Sequence, residues 1–179
     1  MPAAITRPMT FAEFEQLPNP RGKRLELHHG ELVEVAEPKH KHYLRQRRIR
    51  RLIESVAGHA GEVDIEMAYR PLAEYECWAA DVAFVSRKRW DAIPPNGNLS
   101  GAPELVIEVL SPSNTAPEMR EKRKLCLENG AREFWVVDDD YREIEVWTPD
   151  DRSLTYRSGQ EIPLFFAPGT SLRVDDIFA

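Results

Sequence analysis

The chain of 179 residues contains only two cysteines, Cys77 and Cys126, which lie far apart in sequence. Neither belongs to a spacing typical of zinc ligands, so the sequence predicts neither a disulfide framework nor a thiolate metal site. No apolar run is long enough to cross a bilayer, and the first residues lack the apolar stretch of a signal peptide. We therefore expect a cytoplasmic protein with no membrane partner, and the length predicts a single domain over residues 1–179.

An excess of positive charge is also absent, because the formal net charge is −6. This argues against a surface built throughout for nucleic acid, since Lys and Arg supply most of the non-specific affinity for phosphates. Residues 39–51 are an exception, with seven Lys and Arg side chains and no acid. That segment could follow a phosphate backbone. A solvated helix face balanced by nearby acids is the more frequent explanation of a single charge run.

Hydrophobic periodicity predicts alternating helices and strands. Helices are expected at about residues 10–16, 40–57 and from 115 to near 130, and both Thr10 with Glu13 and Thr115 with Glu118 have capping-box spacing. Strands are expected at residues 24–27 and 31–35 as a hairpin, then at 63–72, 80–86, 105–110, 133–137 and 143–147, followed by further hairpins. Residues 94–101, rich in Pro, Gly and Asn, are expected to form a loop.

Two acidic residues lie within strands that otherwise read as buried. Asp81 follows two alanines in one predicted strand, and Glu108 lies in the next long apolar strand. A buried carboxylate is costly unless a metal, a partner or a proton neutralises it. On neighbouring strands, these two carboxylates could hold one divalent cation.

Lys122 lies on the face of its predicted helix that should pack on the sheet. It is three residues from Met119 and from Leu125, which places it on their apolar stripe. Taken alone, such a lysine is most often a buried stem with its ammonium in water. Together with Asp81 and Glu108, it provides the groups needed for metal-dependent phosphodiester hydrolysis.

Several segments together resemble a known family. They are Glu31 after Gly30, His42 at the start of a helix, residues 81–85 (DVAFV), residues 101–113 (GAPELVIEVLSPS), Lys122 and residues 130–138 (GAREFWVVD). Nearly the whole chain resembles the Uma-two family of restriction-endonuclease-like proteins, which belongs to the PD-(D/E)XK nuclease superfamily. The resemblance implies an α/β (α+β) fold with a restriction-endonuclease-like core, a mixed β-sheet flanked by helices, here with additional β-hairpins at both ends. It also implies cleavage of DNA with Mg²⁺ or Mn²⁺.

The resemblance also implies roles for individual residues. Asp81 and Glu108 would ligate the metal, the backbone carbonyl of Val109 would be a further ligand, and Lys122 would complete the catalytic set. Leu110 stands where the superfamily often has lysine, which resembles the family's own pattern with lysine on the following helix. Ala80 stands where the superfamily has proline, a change that removes a backbone constraint without removing a ligand.

Other residues are weaker candidates for the site. His42 and Gln46 lie on the inward stripe of the helix at 40–57; an inward histidine could lie near the metal or a phosphate, or be a hydrogen-bonded structural residue. Glu31 could complete the acidic cluster, although an acid in a hairpin strand usually faces solvent. Arg47, Arg48 and Arg51 are the candidate DNA contacts.

The sequence thus predicts a divalent-metal-dependent endodeoxyribonuclease. The alternatives are a catalytically silent module of the same fold that binds nucleic acid or protein, and a hydrolase of small phosphoesters. Residues 154–178 contain many apolar positions, including Phe165 and Phe166, more than a small sheet is expected to cover, so we also expect a symmetric homodimer.

Overall fold

The computed structural model describes residues 7–18 and 20–179. Its elements in chain order are α1 (Phe11–Phe14), β1 (Lys23–His28), β2 (Glu31–Ala36), α2 (His40–Ala57), a 3-10 turn (Gly58–Ala60), β3 (Gly61–Arg70), β4 (Trp78–Ser86), α3 (Arg87–Asp91), β5 (Leu99–Ser100), β6 (Leu105–Val109), α4 (Ala116–Glu128), β7 (Glu133–Asp138), β8 (Glu143–Trp147), β9 (Ser153–Tyr156), β10 (Glu161–Pro163), β11 (Ser171–Arg173) and α5 (Val174–Phe178).

A seven-stranded mixed sheet in the order β5-β3-β4-β6-β7-β8-β9 forms the centre of the protein. β6 pairs in parallel with β7 and β3 in parallel with β5, whereas the other neighbours are antiparallel. The parallel pairing of β6 with β7 needs a crossover connection, which α4 supplies. The predicted mixed sheet flanked by helices is therefore confirmed. In the described part of the chain, no helix is long and apolar enough to span a bilayer.

Two hydrophobic clusters cover the sheet and fix the positions of its helices. In one cluster, Ile49 and Ile53 of α2 pack with strand residues such as Val82 and Ile107. In the other, Cys126 of α4 packs with residues such as Val106. Side chains alternate between the two faces of a strand, so Val106 and Ile107 belong to different clusters. Side chains of α2 and α4 can therefore both reach β4 and β6, from opposite faces of the sheet.

The N-terminal hairpin of β1 and β2 is attached beside the start of β4. Leu27 and Cys77 exchange two backbone hydrogen bonds of 2.9 Å, and both residues are buried in a small cluster with Phe11. This attachment brings β1 close to the middle of the sheet.

The predicted helices and strands are largely found, with three short elements missed. α2 spans the predicted residues, and α1 and α4 begin with the predicted capping boxes at Thr10 and Thr115. The loop predicted at residues 94–101 contains β5, in which Leu99 is buried. α3 and α5 were also missed, because helices of five residues carry too little periodicity to be read from sequence.

Phe165 and Phe166 pack within the chain, contrary to the reasoning that predicted a dimer. The Phe166 ring stacks on Phe84 with centroids 4.0 Å apart, and Phe165 meets Phe84 edge-on at 6.3 Å. The guanidinium of Arg132 lies over the Phe165 ring, 4.5 Å from its centroid. The two phenylalanines are therefore partly buried against the protein's own core, which weakens the reason for expecting a homodimer, and the homodimer stays a prediction.

Candidate active site between two central strands

Asp81 and Glu108 lie opposite each other where β4 and β6 part. Val82 pairs with Ile107 at the end of the antiparallel ladder, and the two acids are the next residues on each strand. The backbone N–H of Val109 donates to Asp81 Oδ2 at 2.7 Å, which holds the Asp81 carboxylate against the end of β6. The structure therefore brings the two predicted metal ligands together.

Lys122 reaches Glu108 from α4, on the sheet face that the helix covers. Its Nζ lies 2.7 Å from Glu108 Oε1 and donates a hydrogen bond of 2.7 Å to the carbonyl oxygen of Ala79. The side chain is 15 % exposed, so the ammonium is largely removed from solvent. A buried carboxylate and a buried ammonium each offset the cost of burying the other.

His42 and Gln46 reach Asp81 from α2, on the other face of the sheet. His42 Nε2 lies 3.1 Å from Asp81 Oδ2, and Gln46 Nε2 donates to Asp81 Oδ1 at 2.9 Å. The two residues are four apart, so they lie on the same face of the helix. Both sequence candidates from this helix are thus placed against one of the two acids.

Glu66 is a neighbour of Asp81 that sequence reasoning missed. Ile65 and Met67 of β3 pair with Val82 and Ala80, so Glu66 lies opposite Asp81. Its carboxylate accepts a hydrogen bond from the same Gln46 amide. Glu66 has a φ of 53°, in the left-handed region, which costs a non-glycine residue about 1–2 kcal/mol. Such strain is found most often at functional sites.

The N-terminal hairpin supplies two further charges that sequence reasoning missed. Arg24 forms ion pairs with both Glu66 and Glu26. Glu26 is 5 % exposed and also lies 2.8 Å from His28 Nε2. Alternation in β1 placed Glu26 on one face of a hairpin, but only the attachment of that hairpin to the sheet brings it near the site. The candidate Glu31 instead lies exposed at the start of β2.

The electrostatics of the site shift the pKa values of its two acids in opposite directions. Burial raises the pKa of Glu108 to about 7, with Lys122 opposing this shift and the negative charge of Asp81 adding to it. Burial also raises the pKa of Asp81, but the hydrogen bond from His42 and the charges of His42 and Lys122 outweigh burial and lower it. Asp81 is therefore the permanent anion, whereas Glu108 gains or loses a proton near neutral pH.

The two basic side chains of the site, Lys122 and His42, both have raised pKa values. Burial lowers the pKa of Lys122, but the charges of Glu108, Glu26 and Asp81 exceed that effect, so the pKa is raised. In the same way, burial lowers the pKa of His42 and the hydrogen bond to Asp81 raises it, with a net increase.

Two buried acceptors at the site receive no hydrogen bond from the described residues. They are Gln46 Oε1 and Glu108 Oε1, the latter close to Lys122 but without the alignment of a hydrogen bond. Buried polar atoms are normally satisfied, and Glu108 Oε1 is at least paired with the Lys122 ammonium, so it is Gln46 Oε1 that indicates a place for a water molecule. Oxygen donors from Asp81, Glu108 and the Val109 carbonyl suit a hard cation such as Mg²⁺.

The protein's own metal-binding side chains are few at this point. Within residues 7–18 and 20–179, no group of three or more His, Cys, Asp and Glu side chains is arranged to hold a metal. The predicted set contains two carboxylates and a backbone carbonyl. Mg²⁺ commonly keeps several waters and uses one or two carboxylates together with substrate phosphates, so the residues present fit that ion.

The basic face of α2 begins next to the site. Arg47 and Arg51 are exposed and four residues apart, and the Arg47 guanidinium lies 5.6 Å from the Tyr43 ring centroid. Arg48 is different, because its Nε donates to the backbone carbonyl of Asp176 and so ties α2 to α5. Two of the three candidate DNA contacts are therefore free of such a structural bond.

The architecture is that of a nuclease fold, a mixed sheet with an acidic pair at the point where two central strands part. A solved structure with the same fold is described as "a putative nuclease belonging to DUF820 from Anabaena variabilis ATCC 29413"; it has 23 % sequence identity and a TM-score of 0.81, with 96 % of this chain and 98 % of that chain covered. Residues 11–177 match the model of the Uma2 family, described as "Putative restriction endonuclease". The chain belongs to the Uma2 family. No curated protein matches it.

Proposed function

We propose that the protein is an endonuclease that hydrolyses phosphodiester bonds in DNA with Mg²⁺ or Mn²⁺. The observation that carries the proposal is the meeting of Asp81, Glu108 and Lys122 at one point of the sheet, beside the buried Gln46 Oε1, which accepts no hydrogen bond from the described residues. Membership of the Uma2 family supports the same reaction class.

Each residue of the site has a role that follows from its charge and position. Asp81, Glu108 and the carbonyl of Val109 would hold the cation, which supplies a Lewis acid for the phosphoryl oxygens and lowers the pKa of a bound water. Lys122 keeps its positive charge beside Glu108 and can stabilise the negative charge that grows on the phosphoryl group. His42 and Gln46 hold the Asp81 carboxylate in place from α2.

The basic face of α2 supports DNA as the substrate. The protein as a whole carries a net charge of −6, so a polyanion needs a local cationic surface. Arg47 lies next to Gln46 in the helix, and Gln46 contacts Asp81. One helix thus carries both an exposed pair of arginines and, on its buried side, a contact to the acidic pair.

Metal titration and cleavage assays with matched variants test the proposal. Wild-type protein is expected to bind Mn²⁺ and to cut DNA, whereas Asp81→Asn and Glu108→Gln lose both properties because each removes a charged ligand. Asp91→Asn and Glu54→Gln, at exposed positions, serve as controls that keep both.

The outcomes separate the proposal from its two alternatives. Binding of Mn²⁺ without cleavage of single- or double-stranded DNA would direct the tests to small phosphoesters. Absence of Mn²⁺ binding by the wild-type protein would favour a catalytically silent module that binds nucleic acid or protein.

A further inference from the structure

The side-chain amide of Gln46 is held in one orientation by two carboxylates. Gln46 is fully buried, and its Nε2 donates to Asp81 Oδ1 at 2.9 Å and to Glu66 Oε1. An amide nitrogen carries two hydrogens, and both are used here. Rotating the amide by half a turn would place its oxygen against two carboxylates. Charge alone therefore decides which end of the amide meets the acids.

The other end of the same amide lacks a donor. Gln46 Oε1 is buried and accepts no hydrogen bond from the described residues. Two donors of the site have other partners, since Lys122 lies against Glu108 and the Ala79 carbonyl, and His42 Nε2 lies against Asp81. A buried acceptor left without a donor destabilises the folded protein. The amide that contacts Asp81 through Nε2 thus offers a fixed, buried acceptor, Oε1, to a small donor.

We propose that Gln46 is a catalytic residue that orients the attacking water through Oε1, and that Glu66 is the positioning residue that fixes its amide. This inference rests on the proposed nuclease function and extends it. Lys122 cannot take this role, because an ammonium group has donors and no acceptor.

The chemical step needs no proton on Gln46. The water oxygen bonds to phosphorus while the bond from phosphorus to the leaving oxygen breaks. One water proton ends on the leaving oxygen, through solvent, and the other stays on the new phosphate group or passes to solvent. The amide oxygen accepts a hydrogen bond throughout, which aligns a lone pair of the water with phosphorus. Such alignment is one source of enzymatic rate enhancement.

Single-turnover cleavage of DNA at saturating Mn²⁺ tests the role of Gln46. The variant Gln46→Met keeps the side-chain length and removes the acceptor, so we expect the rate to fall about 100-fold, in the range known for groups that act on the reacting water. The affinity for Mn²⁺, measured by calorimetry without DNA, should fall by less than about tenfold, because the ligands remain and His42 and the Val109 N–H still hold Asp81. Gln16→Met, at an exposed position, is the matched control.

A second set of variants tests the link to Glu66. Glu66→Gln should slow wild-type cleavage but have no further effect in Gln46→Met, because a residue that acts only through another loses its effect when that residue is gone. Additive losses would overturn the positioning role. If Gln46→Met does not fold, Gln46→Asn keeps the amide but withdraws it by one methylene, and the same loss of rate is expected.

Crystals soaked in Mn²⁺ give a readout that does not depend on activity. We expect a water within about 3.2 Å of Gln46 Oε1 that also binds the Mn²⁺ ion. Direct ligation of Mn²⁺ by Oε1, or a Gln46→Met enzyme as fast as the wild type, would overturn the inference while leaving the nuclease function in place. A wild-type protein that binds Mn²⁺ and cuts no DNA would instead overturn the nuclease function itself.

Discussion

The ammonium group of Lys122 lies 2.7 Å from Oε1 of Glu108 in the interior of the protein. The pair joins α4 to β6, and the same ammonium holds the carbonyl of Ala79, two residues before Asp81. One lysine thus connects both strands that carry the acidic pair, and its removal should affect both charge and geometry.

Replacing Lys122 with methionine should reduce the single-turnover cleavage rate about 100-fold. The positive charge of Lys122 opposes the rise in the pKa of Glu108, so the variant should also bind Mn²⁺ more weakly at pH 7, where a larger share of Glu108 is protonated. Affinity for Mn²⁺ should recover at about pH 9 while the rate stays low. Lys124→Met, at an exposed position on the same helix, is the control. Full recovery of the rate at high pH would show that Lys122 acts only on Glu108.

The stability of the metal-free protein should fall as pH rises because of Glu108. Its folded pKa of about 7 lies above the ordinary value of 4.5, so the folded state binds more protons than the unfolded state between these values. The free energy of unfolding therefore decreases through this window, by about 3 kcal/mol from this group. Urea unfolding of the wild type and Glu108→Gln between pH 5 and about 8 measures the difference. Parallel pH dependences for the two proteins would contradict the buried, titrating Glu108.

Metal affinity should depend on pH through the same carboxyl group. A proton and a cation compete for Glu108, so the affinity for Mn²⁺ should weaken by up to about tenfold per pH unit below its pKa of about 7. Calorimetry at pH 6 in two buffers of different ionisation enthalpy should reveal the release of about one proton per ion. Asp81 should contribute little to this release, because its pKa is lowered. An affinity that is constant between about pH 6 and 8 would exclude Glu108 as a ligand.

Removing the exposed basic groups of α2 should weaken DNA binding with little loss of stability. For Arg47→Ala with Arg51→Ala, the slope of log affinity against log salt should decrease by about 2, since each lost phosphate contact contributes about 0.9. Arg48→Ala should in addition lower the free energy of unfolding, because Arg48 bonds the Asp176 carbonyl. Arg152→Ala, at an 84 % exposed position on the opposite edge of the sheet, is the control. An unchanged salt dependence would place the DNA elsewhere.

Gly61 should not tolerate a side chain, although its backbone conformation is ordinary. A Cβ atom there would lie 2.1 Å from the Val85 carbonyl oxygen and 2.8 Å from the Phe84 ring. Gly61→Ala should therefore lower the free energy of unfolding by about 3 kcal/mol, at the upper end of overpacking effects. Gly22→Ala has open space but a φ of +72°, so its cost should be nearer 1–2 kcal/mol. Urea denaturation of both variants would show whether this order is reversed.

Much of the fold was predictable because its signals are local. The periodicity of α2 and the capping boxes of α1 and α4 lie within a few residues of each other, and the structure has these elements where they were predicted. The face of Lys122 was predictable for the same reason. The thirteen-residue helix α4 has one side toward the sheet, and the apolar residues near Lys122 in the sequence mark that side.

The sequence by itself also determined which residue types could form the site, since Asp81 and Glu108 are acids in apolar strands. Only the tertiary structure decided their surroundings. Glu66 is close to Asp81 through strand pairing, and Arg24 and Glu26 reach the site because Leu27 bonds to Cys77 across 50 residues of sequence. Contacts of this kind depend on register and on the docking of a hairpin, which are set by packing over the whole chain. The spacing of neighbouring residues carries no signal for such long-range contacts. The ion pairs that shift the pKa values of the site could therefore be found only in the folded protein.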